Sequence, residues 1–160
     1  WKNEVKEEPW YIGDTYHVAI GQGDILVTPL QVAAFTTVFA NGGTLYQPQV
    51  VDQYETQGRI QDLQPRVLHD RPASPESVEI VRQGLRQTVT QGSGRRLNSL
   101  SVAAAGKTGT AQWHSERENH AWFTGFAPYN DPELVVTVLV EEGGEGSAVA
   151  VPLAYDIFDW

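Results

Sequence analysis

Cysteine and methionine are both missing from this 160-residue chain. Without cysteine there is no disulfide, no thiolate nucleophile and no Cys-ligated zinc, although the compartment stays open. Histidine is scarce. His17, His69, His114 and His120 are the whole supply, and none forms the H-E-x-x-H pair of a helix-borne zinc site, so neither a metal nor a cofactor is expected. Basic residues number 11 against 20 acidic ones, and a net charge of −9 speaks against a nucleic-acid partner, because neutralising phosphates requires clustered Lys and Arg. No apolar run reaches membrane-spanning length. Trp1-Lys2-Asn3-Glu4 opens on charge rather than on a basic end with an apolar segment behind it, so these residues hold no signal peptide. A start on tryptophan suggests a piece of something longer, with any anchor outside it.

What remains is an ordinary globular composition. Apolar residues make up 41% of the chain, enough for the core of one domain. Asp14 to Ile20 reads as a short strand, followed by Gly21-Gln22-Gly23, a tight loop against other backbone. Thr28-Pro29-Leu30-Gln31 is a capping box with proline at the first helical position, so a helix is expected from Pro29 to about Phe39. Its apolar residues lie almost all round, which predicts burial on most sides. Asn41-Gly42-Gly43 stops it. Thr44 to Val51 reads as extended and confined to an edge by Pro48, and Asp52 to Arg71 as a polar stretch with a hairpin turning near Gln57-Gly58. Ser74-Pro75-Glu76 opens a second helix with Val78, Val81, Leu85 and Val89 on one face. Strands are expected at 102–112, His120–Ala127 and Glu133–Val140, with short links that make an antiparallel meander. Ala148 to Phe158 then has helical spacing, its true start displaced toward Val151 by Pro152.

The chemistry concentrates in Val102-Ala103-Ala104-Ala105-Gly106-Lys107-Thr108-Gly109-Thr110-Ala111-Gln112. An apolar approach delivers an ammonium, two hydroxyls and two glycines. The lysine can polarise a hydroxyl or hold an anion, the threonines can bind a carboxylate, and a backbone N–H after Gly109 suits an oxyanion. In an extended run Lys107 and Gly109 face one way and Thr108 and Thr110 the other, so a twist or bulge is expected to bring both to one ligand. Two other readings compete. Gly106-Lys107-Thr108 ends a phosphate-cradling loop only if a glycine stands five residues earlier and a helix follows, but position 101 is Ser101 and Thr108-Gly109-Thr110 starts a helix poorly. The other is a small-residue strand with a merely solvated lysine.

Taken in order, Ala19-Ile20-Gly21-Gln22-Gly23, Leu26-Val27-Thr28-Pro29-Leu30-Gln31, Asn41-Gly42-Gly43, Ala105 to Gln112 and His120-Ala121-Trp122-Phe123-Thr124-Gly125-Phe126-Ala127-Pro128 resemble the C-terminal part of a class B penicillin-binding protein. The Gly-Gln-Gly and His-Ala-Trp-Phe segments resemble the elongation type, penicillin-binding protein 2, more than the division type. The resemblance covers nearly the whole chain. It implies an α+β fold, an antiparallel sheet flanked by helices, as residues 1–160 of a partial transpeptidase domain of the penicillin-binding and serine β-lactamase kind. The family uses a serine in S-x-x-K, an S-x-N or S-x-D motif, and K-T-G. Only the third is here, since Ser74, Ser77, Ser93, Ser99, Ser101, Ser115 and Ser147 all lack the required partners.

The resemblance further implies a peptidoglycan D,D-transpeptidase that cross-links stem peptides through an acyl-serine, is acylated by β-lactams, and needs the upstream half of its domain. Lys107 would tune the upstream Ser and Lys. Thr108 and Thr110 would hold the substrate carboxylate, the Thr110 N–H would join the oxyanion hole, and Gly109 would keep the groove open. A membrane glycan polymerase is the implied partner, at the extracytoplasmic face of the bacterial membrane. A non-catalytic β-lactam sensor or interaction module of the same fold is the alternative, and serine β-lactamases share the motifs without the Thr-Pro-Leu-Gln and His-Ala-Trp-Phe segments. For His120 and Trp122 a packing role outweighs a ligand role. Because all seven serines lack a lysine three residues on, this chain by itself should take up no labelled penicillin covalently. Intact-mass spectrometry after incubation checks this, and a stoichiometric adduct on any serine would contradict it.

Overall fold

Five α-helices and three small antiparallel sheets make up the computed structural model, which describes residues 1–160. The N-terminal arm holds α1 (Lys2–Val5) and α2 (Ile12–Ala19), so the strand expected at Asp14 to Ile20 is helix instead. The reason lies at its start. The Asp14 carboxylate accepts the Tyr11 backbone N–H at 2.7 Å, satisfying a donor that a helix start leaves orphaned, and also accepts from Lys2 Nζ at 2.6 Å. The hydrogen bond from Lys2 holds the Asp14 carboxyl below its ordinary range, and the same bond raises the Lys2 ammonium. The carboxyl's contribution is therefore present above the ordinary carboxylate pKa and lost as pH falls through the lowered one.

Helix α3 (Pro29–Ala40) begins as its sequence dictates, with Thr28 Oγ1 accepting from the Gln31 N–H at 3.2 Å and Gln31 Oε1 accepting from the Thr28 N–H at 2.8 Å. Its burial is less complete than the pattern predicts. Thr36, Val38 and Ala40 are buried, while Leu30 and Phe35 remain 62% and 59% exposed. Next come β1 (Thr44–Tyr46), β2 (Gln53–Thr56), β3 (Arg59–Asp62) and β4 (Val67–Asp70). The hairpin turn falls where expected: Gln57 and Gly58 both have positive φ, 53° and 73°, which matches the mirror-image turn that suits the twist of two strands. The pairing of β1 with β4 across that hairpin carried no sequence signal.

Helix α4 (Pro75–Thr90) is capped by Ser74 and buries Val78 and Val89, the ends of the predicted face. A 3-10 turn at Arg95–Ser99 buries Leu97. The central sheet follows as the expected meander, β5 (Ala105–Ala111), β6 (His120–Ala127) and β7 (Leu134–Val140), in that spatial order. Helix α5 (Ala150–Phe158) starts one residue before Val151. Period-2 alternation then sorts the sheet's side chains. Ala121, Phe123, Ala127 and Val136 form the main core with Val89 and Leu97 and with Ala150, Val151 and Ala154 of α5. On the other face Phe126 and Ala105 pack with Ala40 at the end of α3. Thr36, Thr124 and Thr137 link their hydroxyls at 2.8 Å across that face, and Thr36 Oγ1 also reaches the Val32 carbonyl at 2.7 Å. No helix is long and apolar enough to cross a membrane.

Arg82 of α4 ties these parts together. One guanidinium nitrogen donates to the Phe39 and Ala40 carbonyls at the end of α3, the second to the Tyr129 carbonyl after β6 at 2.6 Å, and the plane lies about 5 Å above the Phe126 and Tyr129 rings. Arg82→Ala leaves three partly buried carbonyls without their donor, and should cost about 3 kcal/mol and lower Tm by about 6–12 °C. Arg82→Lys should recover only part, because an ammonium cannot span the fork. Calorimetry decides it.

The outer edge of β7 has no partner strand, and Leu134 there is 47% exposed. Beside it a cavity of about 430 Å³ opens against α3, lined by Leu30, Ala34, Tyr46, Pro48, Leu134 and Val135. An unpaired apolar strand next to an apolar groove invites association. The isolated chain should therefore dimerise or aggregate in light scattering after size exclusion, and Val135→Lys should shift it toward monomer. A well-behaved monomer with a cooperative, high-temperature melt would show that the chain closes its own surface.

Candidate active site

Strand β5 is the outermost strand of the central sheet, with β6 on one side and no strand on the other. Its register with β6 runs without a break from Ala105↔Phe126 to Ala111↔His120, so the expected bulge is absent. The edge position removes the need for it. Side chains from both faces flank one open edge. In an antiparallel strand each residue's N–H and C=O point to the same side, alternating along the chain. The Thr108 carbonyl accepts from Lys107 Nζ at 2.7 Å and the Thr110 carbonyl from Gln22 Nε2 at 3.1 Å, which sets both carbonyls off the sheet on the free edge. Their N–H groups lie on that edge with them.

Lys107 is exposed and makes no ion pair; its one hydrogen bond bends it around to the Thr108 carbonyl. The ammonium thus stands at an open backbone edge with no carboxylate to neutralise it. Thr108 and Thr110 emerge on the opposite face from Lys107, as the alternation predicts. Thr108 Oγ1 lies 2.6 Å from Ser93 Oγ, and Thr110 Oγ1 lies 3.5 Å from the Gly146 N–H. Gly109 shares the Lys107 face, where a Cβ would stand 3.1 Å from Trp122 Cβ. The K-T-G-T side chains therefore meet at the edge and not on a common face.

Three neighbours shape that edge. The Gly21-Gln22-Gly23 loop reaches it through Gln22, both glycines taking the left-handed backbone that frees the glutamine to point at β5, in line with the expected tight loop. The acidic turn after β7 crosses above β5 and β6 so closely that a Cβ at Gly146 would overlap the Gly109 and Trp122 carbonyls. Beyond Ala111 a stack closes the end of the hairpin: Trp113 lies parallel to His120 with centroids 5.0 Å apart, and Arg117 sits 4.7 Å above Trp113 while pairing with Glu142 at 2.5 Å. His120 Nδ1 accepts the Glu142 N–H at 3.0 Å, which fits a packing role. Trp122 is half-buried behind Gly109. Sequence reasoning missed Ser93 and Arg117. The one signal for Ser93 was its place between Gly92 and Gly94 just beyond a helix end.

The sequence matches the family model for the penicillin binding protein transpeptidase domain over residues 2–159. The peptidoglycan D,D-transpeptidase MrdA of Haemophilus influenzae is 36% identical over 179 aligned residues, which take in all of this chain and 27% of that protein. The crystal structure of Pseudomonas aeruginosa PBP2 in complex with WCK 5153 superposes with a TM-score of 0.83 at 35% identity, covering 99% of this chain and 36% of that one. Helicobacter pylori PBP2, solved in complex with MreC, gives a TM-score of 0.76 at 31% identity over 97% of this chain and 28% of its own. The chain thus spans about a quarter to a third of the proteins it resembles. By a match along nearly its whole length, it belongs to the penicillin-binding protein transpeptidase family.

Proposed function

We propose that residues 1–160 are the C-terminal portion of a peptidoglycan D,D-transpeptidase domain of the elongation type, and that they supply its K-T-G strand. The observation that carries this reading is the unpaired edge of β5, with an un-neutralised ammonium at Lys107 and the Thr108 and Thr110 backbone groups along it. An extended peptide adds to such an edge as another strand.

In this reading the nucleophilic serine comes from the upstream part of the same domain. Its Oγ attacks the carbonyl of the penultimate D-alanine of a stem peptide, the C–N bond breaks, and the terminal D-alanine leaves with its amine protonated. An amine of a second stem then attacks the acyl ester and regenerates the serine. A β-lactam presents its ring amide to the same attack. Lys107 lowers the cost of the negative charge that develops at the nucleophile and positions the upstream serine and lysine. Thr108 and Thr110 hold the ligand carboxylate, and the Thr110 N–H shares the oxyanion with the serine N–H. Gly109, with only hydrogen on the Lys107 face, leaves room for the ligand backbone. The work site is the extracytoplasmic face of the membrane, with a membrane glycan polymerase as partner; that the Helicobacter pylori relative is solved with MreC supports a place in a multiprotein assembly.

In the full-length protein, Lys107→Ala should lower the second-order rate of acylation by a fluorescent penicillin about 100-fold or more. Its melting temperature should move by less than about 2 °C, since an exposed ammonium contributes little to packing. Unchanged acylation would return Lys107 to a solvated strand residue.

A further inference from the structure

The contact between Ser93 and Thr108 has no packing purpose. Ser93 is exposed, and its hydroxyl's one hydrogen-bonding partner is Thr108 Oγ1, at 2.6 Å. The backbone on either side is nevertheless fixed. The Gly92 N–H donates to the Gln87 and Thr88 carbonyls, both at 3.1 Å, and the Gly94 N–H donates to Thr88 at 3.0 Å. Gly92 also passes so near α4 that a Cβ there would lie 2.9 Å from Thr88 Cα. A rigid turn thus holds a solvent-facing hydroxyl against one threonine of the K-T-G strand.

Proton counting gives the pair a direction. A carboxylate only accepts, and each hydroxyl carries one proton. If Thr108 donates to Ser93, it has none left for a ligand. If Ser93 donates to Thr108, the Thr108 proton is free to turn to the open edge, and the incoming bond polarises it and strengthens its own. Lys107 already holds the Thr108 carbonyl at that edge.

We propose that Ser93 is a positioning residue: its hydroxyl donates to Thr108 Oγ1 and so commits the Thr108 proton to the carboxylate of the ligand lying along β5. This rests on the reading of Thr108 as the carboxylate-binding hydroxyl, and it adds a residue outside K-T-G to that site. Loss of the donor weakens ligand binding and leaves the acylation step alone.

The test measures acylation of the full-length protein by benzylpenicillin and by its methyl ester, in Ser93→Ala, Ser93→Thr, Thr108→Val and the Ser93→Ala/Thr108→Val double variant. Ser93→Ala should raise the half-saturating benzylpenicillin concentration about five- to tenfold with the limiting acylation rate unchanged, and Ser93→Thr should restore it to within about twofold. The ester, a neutral acceptor, should lose at most about twofold from the same change. In the Thr108→Val background, Ser93→Ala should have no further effect. A full loss in Thr108→Val with no change in Ser93→Ala overturns the Ser93 role alone. Unchanged kinetics in Thr108→Val overturns the carboxylate role of Thr108 and this inference together. A melting temperature lowered in Ser93→Ala but not in Ser93→Thr, with equal losses for acid and ester, makes Ser93 a structural residue and also overturns it.

Discussion

The sheet depends on the close approach of the facing pair Gly106 and Gly125. A Cβ at Gly125 would overlap the Ala105 carbonyl, and one at Gly106 would overlap the ring of Phe123. The absent side chains let the fully buried Phe123 lie across the pair and join the core beneath α5. Any larger residue at either position separates β5 from β6 at the point where the register of Lys107, Thr108 and Thr110 is set. The glycine of K-T-G itself is under less pressure, since a Cβ there would stand 3.1 Å from Trp122 Cβ and meet no backbone atom. Packing therefore demands a bare backbone one residue before the motif, as it does at Gly146 above Gly109.

From that strand outward, the fold divides into what local chemistry specifies and what only contact specifies. The two proline-led helices were legible because a hydroxyl cap, a proline and a spaced apolar face agree about the same start, and the structure uses Thr28 and Ser74 in those roles. The meander was legible for the same kind of reason, since β-branched runs with short links leave few alternatives. Asp14 misled because its helix is initiated by a carboxylate whose partners, Lys2 and the Tyr11 N–H, belong to no pattern of apolar residues. The pairing of β1 with β4 and the carbonyls gathered by Arg82 are long-range facts that no window of sequence contains.

The candidate site was legible as composition and not as geometry. Lys107, Thr108, Gly109 and Thr110 stood out by type, and alternation put them on two faces as the structure does. What alternation alone could not supply was that β5 is terminal in its sheet, and on an edge two faces suffice. Gln22 was visible through its flanking glycines, Ser93 barely, and the link of each to β5 needs three-dimensional proximity across 88 and 15 residues of chain respectively. The resemblance placed the strand in a family whose S-x-x-K serine is none of the seven serines of this sequence.

The β2–β3 hairpin differs from all of this in being held by almost nothing but itself. Every residue of its two strands is exposed, its pairing is regular from Gln53↔Asp62 to Thr56↔Arg59, and its two-residue turn holds Gln57 and Gly58 at positive φ, which only the glycine adopts freely. Closing a longer loop costs free energy only logarithmically in its length. The hairpin tip is thus a point where the chain can be lengthened, shortened or fused to another sequence while the pairing of β1 with β4 at its base keeps the insertion from reaching the sheet. In a domain whose β5 tolerates no added methyl at Gly106, nor β6 at Gly125, it is the stretch where sequence can drift in length at the smallest energetic consequence.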